Sequence, residues 1–424
     1  MGRFLASYLA GIIVIVGGWL GWTSADRVDE AVSASADLVV PGPSGDARAQ
    51  GRVAPRADSD SSRALSIGGT EPSPPCGIRT PSSASGMNRV MARLDDQPML
   101  RGGDHGGSVQ LADGRRMFFY GDTVRDPTTV SPFMVRNSAL VLDRGCLRPM
   151  DGQDGDAVIP DDSDNTGYWP MSMRAVEVPG GTRVRVITNR VQAVGPLEGD
   201  TLPDSPDAFR TLGSSMATFE VPTDRTPRFV GQTPLTPDTT DPRVPAWGAA
   251  MWEHDGTLYV FGTASNETKT TAGWSLHVAR TSPDELADPD AWEYWDGNRW
   301  IPDAAGAART DSSPLIPAEM GVSHVLSVFE RAGSWYAVSK EGDFHGTSLA
   351  VWKAPEVTGP WTKHLVRPLK NSAGLRRYTP LAHPHFTLPS GRLLISWSEA
   401  PTDAGLYYTN PELYRSMFDE IRLP

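Results

Sequence analysis

The sequence predicts an all-β fold, a five-bladed β-propeller preceded by an N-terminal hydrophobic helix and a disordered linker. Three observations predict it. From residue 87 to residue 424 the apolar runs are short, and turn signals such as Asp-Gly and Pro-Gly separate them, which is the punctuation of strands. Helical periodicity is scarce, with room for a turn or two only at residues 282–286 and 410–418. A strand–turn–strand unit recurs, with starts near 104, 169, 247, 323 and 382. Spacings of this size each hold about four strands, the content of a propeller blade. A jelly roll or sandwich does not call for five like hairpins.

The first unit, residues 102–123, organises the rest. Val109, Leu111 and Met117 to Tyr120 are strand material, and Asp113-Gly114 is the turn between them. Asp104 lies at the start of the first strand and Asp122 at the end of the second. An antiparallel hairpin sets those two carboxylates side by side, at the end away from the turn. The other units are residues 168–187, 247–262, 323–338 and 383–397. The first strand of each blade lines the central channel, and its start rims the funnel where ligands bind. Repeat phase therefore puts Asp104, Trp169, Trp247, His324 and His383 on that rim.

Paired carboxylates suit glycosidic cleavage. One, protonated, assists the leaving oxygen; the other, ionised, activates water or attacks carbon. Indoles at the rim stack on sugar rings or pack between blades. The histidines either bond to a neighbouring blade or touch a ligand, or a metal in the channel. Asp beside Gly also caps turns, so the pair has a plainer reading too. Glu253, Glu330 and Glu341 lie near strand ends and are candidates for a third carboxylate, indistinguishable in sequence from surface charges. The acidic run 151–164 lacks calcium-loop spacing and reads as a solvated loop.

Ahead of the propeller, residues 4–22 carry no charge and follow Met1-Gly2-Arg3. The run is nearly long enough to span a bilayer, and Arg3 favours an inside N-terminus. Thr23-Ser24-Ala25 has the small residues of a cleavage site. Residues 1–25 are thus a signal anchor or a signal peptide, and either places the rest outside the cytoplasm, membrane-anchored or secreted. Residues 26–86, rich in Ala, Ser, Pro and Asp and without aromatics, read as a disordered spacer. Residues 87–424 are the expected catalytic domain. With 39 basic against 51 acidic side chains and no Lys/Arg cluster, nucleic acid is excluded as a partner. Cys76 and Cys146, in an exported chain, are expected to form one disulfide, and the spacing offers too few ligands for zinc. No cofactor is expected, and the working state is expected to be a monomer.

Several pieces, in their order, resemble a family of five-bladed propellers. It was long known only as a domain of unknown function and is associated with endo-D-arabinanases that cut the D-arabinan of mycobacterial and related cell walls. The carriers are the Gly102-x-Asp104 start and the Phe119-Tyr120-Gly121-Asp122-Thr123 end of the first hairpin, and Tyr168-Trp169-Pro170. Trp292 to Gly297 after Ala279-Arg280, Gly359-Pro360-Trp361, and Tyr378 to His383 complete them. The resemblance spans about 90 to 424, and departs from the family at His105-Gly106-Gly107-Ser108, a more polar stretch. It implies glycan cleavage by Asp104 and Asp122. By similarity to inverting five-bladed arabinanases and xylosidases, Asp104 would be the base and Asp122 the acid. It also adds Tyr378 to the expected substrate contacts and makes a cell-wall polysaccharide the partner. The rival readings are a non-catalytic glycan-binding propeller, which has no need of two converging aspartates, and a scaffold binding protein on its outer face.

Overall fold

The structure, a computed structural model, describes residues 79–162, 166–193, 209–265, 273–303, 306–403 and 405–424. The expected hydrophobic helix, most of the spacer and Cys76 lie outside these residues. Five antiparallel sheets follow one another along the chain. Blade one contains β1 (Gly102–Gln110), β2 (Arg116–Val124), β3 (Met134–Val135), β4 (Ser138–Asp143) and β5 (Cys146–Pro149). Blade two contains β6 (Thr166–Val178), β7 (Gly181–Ala193), β8 (Phe209–Pro222) and β9 (Arg228–Pro234). Blade three contains β10 (Ala246–His254), β11 (Thr257–Ala264), β12 (Ser275–Thr281), β13 (Glu293–Trp295) and β14 (Trp300–Pro302). Blade four contains β15 (Ser327–Arg331), β16 (Ser334–Lys340), β17 (Ser348–Ala354) and β18 (Thr362–Pro368). Blade five contains β19 (Leu375–Ala382), β20 (Leu393–Pro401) and β21 (Arg415–Ile421).

The inner strands close a ring: β1 packs on β6, β6 on β10, β10 on β15, β15 on β19 and β19 on β1. The protein is a five-bladed β-propeller. Strand alternation builds its core. Phe118 and Phe119 are neighbours in β2 and point to opposite faces of the sheet. Phe118 packs with Leu394 and Phe418 of blade five, and Phe119 with Val184 and Phe219 of blade two. The same two-sided burial joins Ile187 to Trp247 and Val260, Phe261 to Trp335, and Val351 to Ile395 and Trp397. Every blade is therefore apolar on both faces, and each face is buried against a neighbour.

Of three local expectations, two are met in part and one is corrected. Residues 410–418 hold one helical turn, a 3₁₀ turn at Pro411–Leu413. Another helical turn precedes it at Leu406–Thr409, and Arg415 onward is the outer strand β21, zipped to β20 along its length. Pairing with a sheet edge overrides local preference here. Residues 282–286 close as successive turns (Glu285 N to Ser282 O, Asp288 N to Glu285 O) rather than as a helix. In blade five the inner strand is Leu375–Ala382, so residues 383–392 are the connection and not the first strand.

A helix at Ala84–Met91 precedes the first blade, capped by the Ser83 hydroxyl, which accepts from Gly86 N. Asn88 lies against β21: its Nδ2 donates to Phe418 O and its Oδ1 accepts from Phe418 N. One side-chain amide thus satisfies a backbone pair on an otherwise open sheet edge. Among the described residues no helix is long and apolar enough to cross a membrane. No described cysteine is free; Cys146 opens β5, and its expected partner Cys76 is outside the described residues.

Candidate active site

The hairpin β1–β2 brings Asp104 and Asp122 together. Its register runs Gly103↔Thr123, then shifts to His105↔Tyr120 and again to Gly107↔Phe119. Asp104 therefore sits in a bulge opposite Gly121 and Asp122. Bulges re-aim side chains, and here the bulge is tight: His105 and Gly106 both take left-handed backbone, φ 65° and 67°. Hydrogen bonds from blades two and five hold the distorted His105. Its backbone N donates to Ser398 Oγ (2.9 Å), and its Nδ1 meets Pro170 O (3.1 Å), which makes Nδ1 the protonated nitrogen. The polar stretch that departs from the family pattern is thus the bulge itself.

The two carboxylates are 2% and 6% exposed, which is rare for unpaired aspartates. Each is held by one aromatic donor from a different blade. Tyr378 Oη donates to Asp104 Oδ2 (3.0 Å), and Trp169 Nε1 donates to Asp122 Oδ1 (3.1 Å). Asp104 Oδ1 accepts no hydrogen bond from the described residues. It lies over Gly121, where a Cβ would come within 2.5 Å of it. Gly121→Ala is accordingly expected to displace the Asp104 carboxylate. The expected cost is about 10²-fold in activity for a shift on the order of 1 Å, measured as kcat/KM beside a melting curve that shows the fold retained.

Burial pushes the Asp122 carboxyl well above the usual carboxylate range, and the negative charge of Asp104 pushes it further. The Arg136 guanidinium and the Trp169 hydrogen bond hold it partly down. Arg136 pairs with Asp161 (3.0 Å), whose own carboxyl is raised by burial. The neighbouring Asp162 accepts from Tyr168 Oη (2.5 Å). The end of the acidic run is therefore a brace beside Asp122 rather than a free loop. Three tyrosines, Tyr378, Tyr407 and Tyr414, surround the pair and stay neutral: burial raises each, and the charge of Asp104 raises each further.

Repeat phase locates four of its five rim residues on one face of the ring. Trp169 holds Asp122. Trp247 is 1% exposed, its Nε1 donates to Arg309 O (3.2 Å), and its ring packs edge-on to Tyr294. It is largely a packing residue. His324 lies between blades: Asn189 Nδ2 donates to its Nε2 (3.0 Å), and its Nδ1 faces Thr263 Oγ1 (3.1 Å). Shielding from water lowers its pKa to about 4, so it is neutral.

His383 is the exception. It is fully buried, bonded to Ser108 (2.5 Å) and Ser396 (2.9 Å) and packed on Phe118, toward the turn end of the hairpin. Its displacement follows from the fifth blade's phase, since the inner strand ends where it was expected to begin. Glu253 pairs with Arg174, Glu330 caps the turn at Gly333, and Glu341 pairs with Lys363 on an outer strand; none joins the aspartates. His105, Arg136, Asp161, Tyr407 and Tyr414 carry no sequence signal of their own beyond proximity to a motif. Among the described residues no cluster could hold a metal ion.

The chain is similar to several solved structures. They include a mutant of the GH43 protein BlXynB from Bacillus licheniformis (11% identity, 77% of this chain and 54% of that one, TM-score 0.41). They also include an endo-arabinase from Bacteroides thetaiotaomicron VPI-5482 (11%, 73% and 90%, TM-score 0.39) and a GH43_1 enzyme from Xanthomonas citri (14%, 78% and 93%, TM-score 0.42). The chain spans about half the length of the first. No curated protein matches the chain. The sequence profile described as domain of unknown function (DUF5005) matches residues 92–422, most of the chain and all five blades, and the chain belongs to that family.

Proposed function

We propose that the protein is an exported glycoside hydrolase that cleaves furanosidic linkages of cell-envelope arabinan, as an endo-D-arabinanase. The observation that supports this reading most is the buried pair Asp104–Asp122, with one member biased toward its protonated form. A turn-capping role needs neither burial nor a second carboxylate.

The roles follow from the partners. Trp169 occupies Asp122 Oδ1, leaving Oδ2 to carry a proton to the glycosidic oxygen as the C1–O bond breaks. Tyr378 occupies Asp104 Oδ2, leaving Oδ1 to take the proton of the water that attacks C1. The products are two shorter chains. Asp104 ends protonated and Asp122 ionised, and one proton exchange with solvent resets both. A single displacement inverts the anomeric centre. Transport through residues 1–25, reach through the spacer, a Cys76–Cys146 bridge and a monomeric working state belong to the same reading.

The test is product release from arabinogalactan by the full-length protein. Oligosaccharides should appear in the wild type, with inverted anomers by NMR, and vanish in Asp104→Asn. Binding without release, in the wild type as in the variant, would favour a glycan-binding propeller instead.

A further inference from the structure

A cavity of about 670 Å³ opens between blades two and three on the same face as the carboxylates. Its lining includes His324, Thr263, Trp247 and Arg309. His324 accepts from Asn189 Nδ2 (3.0 Å), and Asn189 pairs across β6 and β7 with Trp169, the residue that holds Asp122. The groove therefore runs up to the residues that support the carboxylate pair. Its volume is that of a site for a drug-sized ligand, which here means a few sugar rings.

The lining dictates the chemistry of what it takes. Each of its carboxylates is already paired: Asp238 with Arg190 (2.5 Å), Asp241 with Arg243 (2.7 Å), and Asp290 (3.0 Å) and Asp303 with Arg309. Asp290 and Asp303 share the single guanidinium of Arg309, and the negative charge this leaves over sits on Asp290, 85% exposed and screened by water. The lining therefore offers no buried unpaired charge to an ion and disfavours an anion, while the carboxylate oxygens and the threonine hydroxyls still accept or donate hydrogen bonds. The fitting ligand is uncharged and rich in hydroxyls. One wall is the partly exposed indole of Trp274, 4.5 Å between ring centroids from His324. That wall is held in place at some expense. Trp274 Nε1 donates to Asp343 Oδ2 (2.8 Å), a carboxylate 7% exposed on left-handed backbone, φ 52°. A buried aspartate in strained backbone is costly, and its hydrogen bond fixes the face of an indole that looks into the groove.

We propose that this groove seats successive neutral pentosyl residues of the glycan chain beyond the bond that is cut, with Trp274 as stacking wall and Asp343 as the residue that positions it. The proposal rests on the glycosidase reading for the word "cut", and on the groove alone for the binding. Occupation of a groove outside the reacting centre makes internal cleavage of long chains the favoured mode.

Full-length protein carrying Trp274→Ala, and separately Thr240→Trp on the exposed wall, should be assayed on arabinan and on a nitrophenyl arabinofuranoside. The ratio of kcat/KM between polymer and aryl substrate should fall at least about tenfold in both variants. In parallel, a linear arabinofuranosyl oligosaccharide is titrated into full-length Asp104→Asn, with and without Thr240→Trp, against a polyuronate. Thr240→Trp should weaken the neutral ligand at least about tenfold, and the polyuronate should bind less tightly than the neutral chain. An unchanged ratio, oligosaccharide binding indifferent to Thr240→Trp, or preference for the polyuronate would overturn the proposal. If the wild type cuts nothing, the hydrolase reading fails. The titration then decides the groove: binding blocked by Thr240→Trp sustains it, and absence of binding ends it.

Discussion

Asp122→Asn is expected to lower turnover of arabinan by about 10³- to 10⁴-fold, while an aryl furanoside with a dinitrophenolate leaving group loses less than about tenfold. The split follows from the role. A sugar hydroxyl is a poor leaving group and needs a proton; dinitrophenolate leaves without one. Asp122 holds its proton toward neutral pH, because it is buried and beside a second negative charge. Asn at 122 keeps an oxygen for the Trp169 Nε1 proton, so the site keeps its shape and loses only the acid. The alkaline limb of the wild-type rate profile should be the ionisation of Asp122, and the variant's aryl profile should lack that limb. Equal losses on polymer and aryl substrate would remove Asp122 from the acid role. The same split seen in Asp104→Asn would exchange the two roles.

The part of this site legible in sequence is the part made locally. Period-two alternation in Phe118 and Phe119, a turn at Asp113-Gly114 and aspartates at the hairpin's open end lie within one short stretch, so the two carboxylates could be paired before any tertiary contact was known. Blade spacing carried that logic around the ring and placed Trp169 where it meets Asp122. What stayed hidden is long-range or depends on distortion. No pattern ties Tyr378 to Asp104 across the closing seam of the ring, and no pattern announces two register shifts in a nine-residue strand. The fifth blade was misphased because Arg376-Arg377 disguise an inner strand as a polar loop. Arg377 is satisfied by Glu399 on the next strand, so a strand reaching into the ring carries an arginine at its start. Arg136 likewise reads as an ordinary basic residue until Asp161 is seen beside it.

The same substitution that removes the acid should stabilise the fold, by an amount that depends on pH. In the unfolded chain Asp122 titrates near 4, as a free aspartate does. In the native protein its pKa is raised, so the native state holds that proton more tightly than the unfolded one. The sign is then settled. The stability this proton contributes is complete below about pH 4 and is lost as pH rises through the native pKa, because ionised Asp122 must sit buried beside Asp104. Asn carries no such burden. The difference in melting temperature between Asp122→Asn and wild type should be small near pH 4 and grow with pH. At the alkaline end it should reach about 2 kcal/mol, or several degrees. Asp343, His324 and His383 also titrate away from their ordinary values, but they are common to both proteins and cancel in the difference. A difference that is flat with pH would mean that the pair does not repel in the native state. A variant less stable than wild type at alkaline pH would mean that ionised Asp122 is stabilised by Arg136 more than it is opposed by Asp104 and burial. The expected rise instead ties the two readouts together, since the strain that keeps a proton on Asp122 is what lets it act as an acid at neutral pH.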